Sequence, residues 1–298
     1  MQSDSASVCD DWVWRTRGVV VYLPAMFMEL TFLGTGTSVG IPMIGCHCPV
    51  CSSGDPRNTR RRTSLYVRTD TAAFVIDTPP DFRQQVLDFG VERVDAVVFT
   101  HAHADHIFGF DDIRRFNTLK GGVIPAYGDA ETLGDVQRVF NYIGNKPSAH
   151  GLYRPLVDFV EVAETFQVGD VRLTPLDVQH GRKMTGYLME HGPIKVGYVP
   201  DCLTMPAATV AQVKGADVMV LDALRYRPHP SHICVEESLA LLAKIGAKAS
   251  YLIHLCHDLE HAELETRLPP DVRVSYDGLR VRLACAGDGK VTVEETTL

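Results

Sequence analysis

The sequence predicts an α/β fold in which two mixed β-sheets are flanked by helices, an αββα sandwich. The first observation is a run of short apolar segments, typical of strands, which then alternate with segments of helical periodicity. The second observation is that this order repeats in the second half of the chain. A two-sheet sandwich with helices on its outer faces fits the repeated order.

In the first half, short apolar runs bounded by turn residues predict strands at residues 29–33, 64–67, 73–76 and 94–99. Helical periodicity predicts helices at residues 83–89, 110–119 and 130–142. In the second half, strands are predicted at residues 171–178, 186–190, 194–199, 218–221, 250–253, near 272 and at 279–283. Helices are predicted at residues 207–213 and 235–245.

The predicted domain organisation is a single domain at residues 28–298 after an N-terminal extension at residues 1–27. The extension has no periodicity, and no function is assigned to it. An ordered strand at residues 19–23 is the alternative interpretation, and Met26 or Met28 could be the true start of the chain.

Composition and charge exclude several classes of protein. A chain of 298 residues with 45% hydrophobic content can bury a large core. The formal net charge of −8 argues against a protein that holds nucleic acid through a basic surface. The apolar run at residues 19–28 is too short for a membrane span and lacks the basic start of a secretory signal. We therefore expect a soluble, cytoplasmic protein with no membrane association.

The densest group of reactive side chains directly follows the predicted strand at residues 94–99. It has the pattern His-x-His-x-Asp-His, formed by His101, His103, Asp105 and His106. Imidazole and carboxylate together are ligands for Zn²⁺, Mn²⁺ or iron. The first two histidines can point to one ion, and the last two residues fall past the turn and can reach another. The spacing makes a two-metal site plausible, and a solvated histidine-rich turn is the alternative.

This motif resembles the signature of the metallo-β-lactamase superfamily of metal-dependent hydrolases, and the resemblance implies the αββα fold. Three further candidate ligands follow or end predicted strands, in the order of the superfamily's landmarks: His180, Asp201 and His254. Each of them alone would more often be an ordinary polar residue at the end of a strand.

The resemblance implies two ligand sets joined by one bridging carboxylate. The first ion would be bound by His101, His103 and His180. The second ion would be bound by Asp105, His106 and His254, with Asp201 between the two. Asp77 would orient a ligand or loop from behind the site, or else would cap a helix.

A second candidate metal site lies in a cysteine-rich turn. Three thiolates, one fewer than tetrahedral Zn²⁺ requires, come from Cys46, Cys48 and Cys51. His257 can supply the fourth ligand because it lies three residues after His254 and can face away from the active site. Cys256 and His47 are rival candidates for that place. Reduced cysteines that happen to be clustered are the alternative interpretation.

The cysteine turn with its downstream His-x-x-His resembles the phosphodiesterases of the phosphonate-degradation (PhnP) type. Members of that group act on ribosyl cyclic phosphates and carry a structural zinc bound in this way. The resemblance covers residues from about Glu29 to Gly278 in the order of its landmarks. It implies two divalent ions in the active site, Mn²⁺ or Zn²⁺, and one structural Zn²⁺.

The predicted function is that of a metal-dependent phosphodiesterase acting on a small cyclic or nucleotide-like phosphodiester. Two ions would lower the pKa of a bridging water and so supply hydroxide, and the departing alkoxide would need a general acid. His229 and His232 are the candidates for the acid, and the resemblance favours His232. The predicted catalytic residues are Asp105 and His232. A proline-rich surface loop is the alternative interpretation of this segment.

Other functions remain as alternatives. A thioesterase or lactamase-like hydrolase would share the fold, but His232 and the cysteine turn count against it. A protein resembling the PqqB-type members of pyrroloquinoline quinone biosynthesis shares the cysteine cluster. The transfer-RNA 3′-processing branch would want a basic insertion, and residues 121–156 are not noticeably basic. The expected partner is a small-molecule phosphodiester. Nucleic acid is not expected, and a homodimer is implied by resemblance alone.

Overall fold

The computed structural model describes residues 12–16, 19–23, 26–146, 153–285 and 289–298. Near the N-terminus, β1 (Trp12–Thr16) pairs with β2 (Val19–Leu23) in a two-stranded sheet. The ordered strand considered for residues 19–23 is therefore present. Most of the other residues of the predicted extension lie outside the described ranges, and the predicted division into domains stays a prediction.

The first large sheet has eight strands in the order β17-β16-β3-β4-β5-β6-β7-β8. Its strands are β3 (Met26–Gly34), β4 (Ser64–Arg68), β5 (Ala73–Ile76), β6 (Ala96–Val98), β7 (Ile124–Gly128), β8 (Val157–Glu161), β16 (Leu279–Cys285) and β17 (Val291–Thr297). Pairing is antiparallel from β17 to β5 and parallel from β5 to β8, so the sheet is mixed.

The second large sheet has seven strands in the order β15-β14-β13-β12-β11-β10-β9. Its strands are β9 (Phe166–Val168), β10 (Val171–His180), β11 (Arg182–His191), β12 (Ile194–Val199), β13 (Val218–Asp222), β14 (Ala249–Ile253) and β15 (Val272–Val274). Pairing is antiparallel from β9 to β12 and parallel from β12 to β15.

Helices cover the outer faces of both sheets. They are α1 (Phe82–Asp88), α2 (Ala104–Ile107), α3 (Ile113–Lys120), α4 (Ala130–Val139), α5 (Ala207–Val213), α6 (Val235–Ile245) and α7 (His261–Glu265). One apolar cluster fills the space between the sheets, with Phe32 of the first sheet and Tyr251 of the second in ring contact at 5.6 Å. Two further clusters bury α1, α3 and α4 against the first sheet and α5 and α6 against the second. The predicted αββα sandwich of two mixed sheets is therefore confirmed.

The parallel half of each sheet positions the candidate site. Parallel strands present their carboxyl ends at one edge, and functional loops of α/β proteins follow those ends. Asp77 follows β5, and Thr100 with the histidine motif follows β6. In the second sheet, Asp201 follows β12, Asp222 is the last residue of β13, and His254 follows β14. Polar groups from both sheets thus meet at one end of the sandwich.

Candidate active site

The histidine motif is divided between an extended segment and a short helix. His103 is the N-cap of α2, with extended backbone angles, and α2 contains Asp105 and His106. The helix is docked on the loop after β5 because Thr78 N–H donates to His106 O at 2.7 Å and Gly109 N–H donates to Thr78 O at 2.9 Å. This docking directs the residues before and within α2 towards one small volume.

The structure brings together all of the residues predicted to bind metal in the active site. Their ligand atoms form overlapping groups, each within 4.8 Å: His101, His103 and His180; His101, His106 and Asp201; Asp105, His106 and His254. The first and third groups are the two ligand sets that were predicted. His101 Nε2 and His103 Nδ1 are 2.8 Å apart, near the spacing expected of two nitrogens on one ion with bonds of about 2.0–2.1 Å.

Hydrogen bonds behind the site fix the ring orientation of His101 and His106. His106 Nδ1 donates to Asp77 Oδ2 at 2.7 Å, and His101 Nδ1 lies 3.0 Å from Thr100 Oγ1. Thr100 in turn donates its hydroxyl to Asp77 at 2.7 Å and its N–H at 2.8 Å. One buried carboxylate therefore orients two candidate ligands and leaves the Nε2 atoms facing the site, as expected for supporting groups of a metal site.

His180 and His254, which also face Asp201, are oriented by the neighbouring loops. His180, the last residue of β10, donates Nδ1 to Ser231 O at 2.7 Å. His254 Nδ1 lies 3.2 Å from Thr63 Oγ1, which donates to Gly36 O at 2.9 Å. Both rings therefore present Nε2 to the site as an unprotonated ligand in the neutral tautomer.

Asp201 faces members of both ligand sets. Its Oδ2 lies 3.1 Å from His106 Nε2, and its Oδ1 lies 3.2 Å from His254 Nε2 and 3.9 Å from His180 Nε2. His106 Nε2 and Asp201 Oδ2 are both buried without a hydrogen-bond partner among the described residues. When the neutral ring of His106 donates from Nδ1 to Asp77, its Nε2 is an acceptor, and two buried acceptors at this distance repel each other unless a metal ion or a proton lies between them. The residues present therefore fit divalent metal ions.

The pKa values of the buried histidines shift in opposite directions, according to the charges around each ring. Burial lowers the pKa of His254 to about 3 and holds that of His101 well below its usual range. Burial also opposes the charge of His106, but the carboxylates of Asp201, Asp105 and Asp77 outweigh it and raise the pKa of His106 well above 6.5.

His232 lies at the same site, paired with a carboxylate that the sequence interpretation missed. His232 Nδ1 donates to Asp222 Oδ2 at 2.7 Å, and Cys202 N–H donates to the same oxygen at 2.8 Å. The His232 ring is 4.3 Å from that of His180 and stacks on that of His254 at 4.8 Å, between centroids. Burial, with Asp201 close by, raises the pKa of Asp222 well above its usual range.

Two supporting residues were missed by sequence reasoning. Asp222 ends a buried strand just as Asp201 and His254 follow theirs, so the same strand-end signal would have found it. Thr63 carries no such signal, because a threonine beside a strand is ordinary in sequence and its contact with His254 spans 191 positions. His229, the rival acid, is less buried than His232 and contacts Ser231 through Nδ1.

The cysteine turn and His257 form a separate cluster. His257 Nδ1 lies 3.3, 3.5 and 3.8 Å from the sulfur atoms of Cys46, Cys48 and Cys51. A tetrahedral zinc with ordinary bond lengths separates its sulfur and nitrogen ligands by about 3.6 Å. The Cys51 N–H, which donates to the Cys48 sulfur, lowers the pKa of Cys48 to about 6 and favours the thiolate. The four residues therefore fit Zn²⁺.

The rival fourth ligands are not part of this cluster. Among the residues that the structure describes, neither His47 nor Cys256 joins the group of ligand atoms. Cys256 is buried, and its sulfur accepts the N–H of Asp258 at 3.3 Å.

Comparison with known proteins identifies a family whose matched region contains the candidate active site. A family model described as beta-lactamase superfamily domain matches residues 73–255, which include the histidine motif, His180, Asp201 and His254. The chain belongs to the metallo-β-lactamase superfamily. It has the fold of that superfamily, and the fold implies bound divalent metal ions and a metal-dependent hydrolase.

Three relatives of this superfamily member are informative. A solved structure described as a new diphosphatase from the PhnP family is 38% identical, covers 85% of this chain and 96% of its own, and has a TM-score of 0.78. An octanoyltransferase of Porphyromonas gingivalis is 36% identical over 85% of this chain. The chain spans 51% of that relative, about half its length. Coenzyme PQQ synthesis protein B of Methylobacterium radiotolerans is 26% identical over 65% of this chain and 72% of that protein.

The described part of the chain contains no helix that is both long enough and apolar enough to cross a membrane.

Proposed function

We propose that this superfamily member is a dinuclear phosphodiesterase that hydrolyses a small cyclic or nucleotide-like phosphodiester. The observation that carries the proposal is the buried pair of His232 and Asp222 beside a complete set of seven candidate metal ligands. A hydrolase that expels an alkoxide needs both a charged, metal-binding site and a nearby proton donor. The closeness of the His232–Asp222 pair to the candidate ligands supports the proposal.

In this proposal, one divalent ion would be held by His101, His103 and His180. A second would be held by Asp105, His106 and His254, and Asp201 would serve both ions. When bound, such a pair of ions activates a water for attack and neutralises the charge that builds on the phosphoryl oxygens. Mn²⁺ and Zn²⁺ both suit the imidazole and carboxylate ligands. The orientation of the ligand rings is fixed by contacts with Asp77, Thr100, Thr63 and the Ser231 carbonyl.

His232 is the proposed general acid for the leaving oxygen. To donate a proton it must carry one on Nε2 besides the one that it shares with Asp222, and Asp222 favours this doubly protonated form when its carboxyl group is ionised. Burial of the ring lowers the pKa of His232, which makes the imidazolium a stronger acid once it forms. Asp222 therefore acts through His232, as a positioning residue.

A second candidate substrate is a diphosphate carrying a substituent on each phosphorus. The PhnP-family relative at 38% identity is described as a diphosphatase, which favours this candidate. Chemically the two substrates are close, because the attacked phosphorus carries two substituents and one negative charge in each. The leaving groups differ, since a phosphate leaves without protonation more readily than an alkoxide does.

The other hypotheses receive less support. The Cys46, Cys48, Cys51 and His257 cluster is shared with the PqqB-type alternative, but complete active-site ligands favour catalysis. A thioesterase does not need the His232–Asp222 pair as a proton donor, because a thiolate leaves readily without protonation. A small-molecule partner fits the net charge of −8 better than a nucleic acid does. The homodimer stays a prediction.

The proposed function is tested by measuring hydrolysis with the protein reconstituted with Mn²⁺ or Zn²⁺. The substrates are an activated phosphodiester, a ribosyl cyclic phosphate, a dinucleoside diphosphate, a thioester and a β-lactam, under the same conditions. We expect turnover of the phosphorus compounds alone, abolished by Asp201→Asn. Selective thioester turnover by fully metallated protein would move the assignment to the thioesterase alternative.

A further inference from the structure

His254 has a backbone conformation that few residues adopt without external support. Its φ angle is 61°, in the left-handed region that disfavours side chains other than glycine. Such conformations persist where surrounding contacts over-determine them. His254 also begins a short loop in which it faces the active site, whereas His257, three positions later, faces the cysteine cluster. The loop must therefore hold two ligands in opposite directions.

Backbone hydrogen bonds attach the start of this loop to both sheets. Leu255 N–H donates to Thr35 O at 2.9 Å, and Cys256 N–H donates to Leu224 O at 2.9 Å. These bonds fix the residues just after His254. The carbonyl of Leu255 accepts the Thr37 N–H at 3.2 Å, and that of Cys256 accepts the Leu259 N–H at 3.3 Å.

Arg60 donates further hydrogen bonds to this loop from a fully buried position. Its Nη1 donates to Cys256 O at 3.1 Å and its Nη2 donates to Leu259 O at 2.8 Å. The same Nη2 donates to Asn58 Oδ1 at 3.2 Å. Within the described ranges, no carboxylate forms an ion pair with Arg60, although it is 0% exposed. A buried guanidinium that contacts only neutral oxygens is costly, so its retention calls for a reason.

The backbone of Arg60 is joined to the cysteine turn. Ile41 N–H donates to Arg60 O at 2.7 Å, and Arg60 N–H donates to Ile41 O at 2.9 Å. Ile41 packs in a small apolar cluster with Val50 and Cys51. Arg60 therefore lies between the turn that carries the cysteines and the loop that carries His254 and His257.

We propose that Arg60 is a positioning residue that clamps the loop at residues 254–259 and thereby couples metal binding at the cysteine cluster to binding of the ion held by His254. The inference rests on the proposed two-ion active site. The planar guanidinium of arginine can donate to two separate carbonyl groups at once. The compact ammonium of lysine, on its flexible chain, does not reproduce this geometry. Zinc at His257 and the guanidinium then restrain the same loop from two sides.

The test is a competition titration against a chromophoric chelator, using Arg60→Lys, with no substrate present. Arg57→Lys is the matched control, because Arg57 is a neighbouring arginine whose exposed side chain pairs with Asp55. We expect Arg60→Lys to weaken the second active-site ion at least about 10-fold relative to the first, a selectivity that general destabilisation does not produce. Arg57→Lys should bind both ions as the wild type does.

The converse measurement keeps the inference testable if Arg60→Lys does not fold. If the two sites are coupled through the loop, loss of zinc from the cysteine cluster in Cys48→Ser should also weaken the second active-site ion selectively. The inference would be overturned if Arg60→Lys and Cys48→Ser bound both active-site ions with wild-type affinity. It would also be overturned if the variants weakened both ions by the same factor. A wild-type active site that binds a single ion would instead contradict the proposed two-ion centre.

Discussion

His232 donates its Nδ1 proton to Asp222 across 2.7 Å, and both side chains are buried next to Asp201. Asp222 Oδ2 also accepts the Cys202 N–H, so the carboxylate is held in place by the loop that follows β12. The arrangement is that of a carboxylate orienting an imidazole for proton transfer. It places a candidate proton donor at the edge of the metal-binding groups without making that donor one of the predicted ligands.

Replacing Asp222 should impair turnover while leaving metal binding intact. Asp222→Asn presents an amide that cannot stabilise the imidazolium, so we expect kcat to fall by about 10²-fold or more. Steady-state kinetics and metal analysis of the same preparation measure the two effects. Asp217→Asn is the control, since Asp217 lies just before the opposite end of β13 and pairs with Lys248. Equal loss of activity in both variants would contradict a specific role for Asp222.

His232→Ala should likewise slow phosphodiester turnover by about 10²-fold or more while sparing metal content. Because Asp222 is proposed to act through His232, the double variant His232→Ala with Asp222→Asn should be little slower than His232→Ala alone. A double-mutant cycle on kcat measures this. Fully additive losses would show that Asp222 acts by another route, and unchanged turnover in His232→Ala would remove His232 from the acid role.

Cys48→Ser should lose one equivalent of zinc and lower the midpoint of thermal unfolding, because one of the thiolates of the Cys–His cluster is removed. Cys256→Ser is the matched control on the neighbouring loop, since the Cys256 sulfur only accepts a backbone hydrogen bond. It should retain the zinc. Elemental analysis and thermal melts are the measurements, and full zinc content in Cys48→Ser would refute the structural site.

Gly109→Ala should destabilise the protein and loosen α2. A Cβ at this position would lie 2.1 Å from Pro79 O and 2.7 Å from Phe82 Cβ, so α2 would have to move away from the loop after Asp77. We expect a loss of about 1–3 kcal/mol in the free energy of unfolding. Gly134 lies in the middle of α4 with no atom near the new Cβ, so Gly134→Ala should raise the free energy of unfolding by about 0.8–1.0 kcal/mol. Denaturant unfolding of both variants tests the contrast.

Much of the fold was predictable because many of its strands and helices contain apolar residues at a regular spacing. The helices predicted at 207–213 and 235–245 match α5 and α6 in full, and the strand at 73–76 matches β5. Elements with short or weak periods were missed, including β7, β8, β9, α7 and β17. The segment after β6 was predicted as a loop, but it forms the single-turn α2, whose four residues are too few for a helical period to be visible.

The site was predictable to the extent that its residues are rare and follow strands. The histidine motif has this property, and so do His180, Asp201 and His254. What the sequence could not provide was the support behind them. Thr63 and Arg60 are common residue types whose roles depend on contacts about 200 positions away, and the left-handed φ of His254 has no signal in its own residue type.

The measurement that tests the central claim most directly is a leaving-group series of phosphodiesters, compared between the wild type and His232→Ala. A general acid matters most when the departing oxygen is strongly basic, and little when it leaves as a stable anion. We predict that the loss caused by His232→Ala is about 10²-fold or more for alkyl leaving groups and shrinks towards unity for nitrophenyl ones. A loss that is the same across the series, or a fully metallated wild type without phosphodiester turnover, would contradict the account.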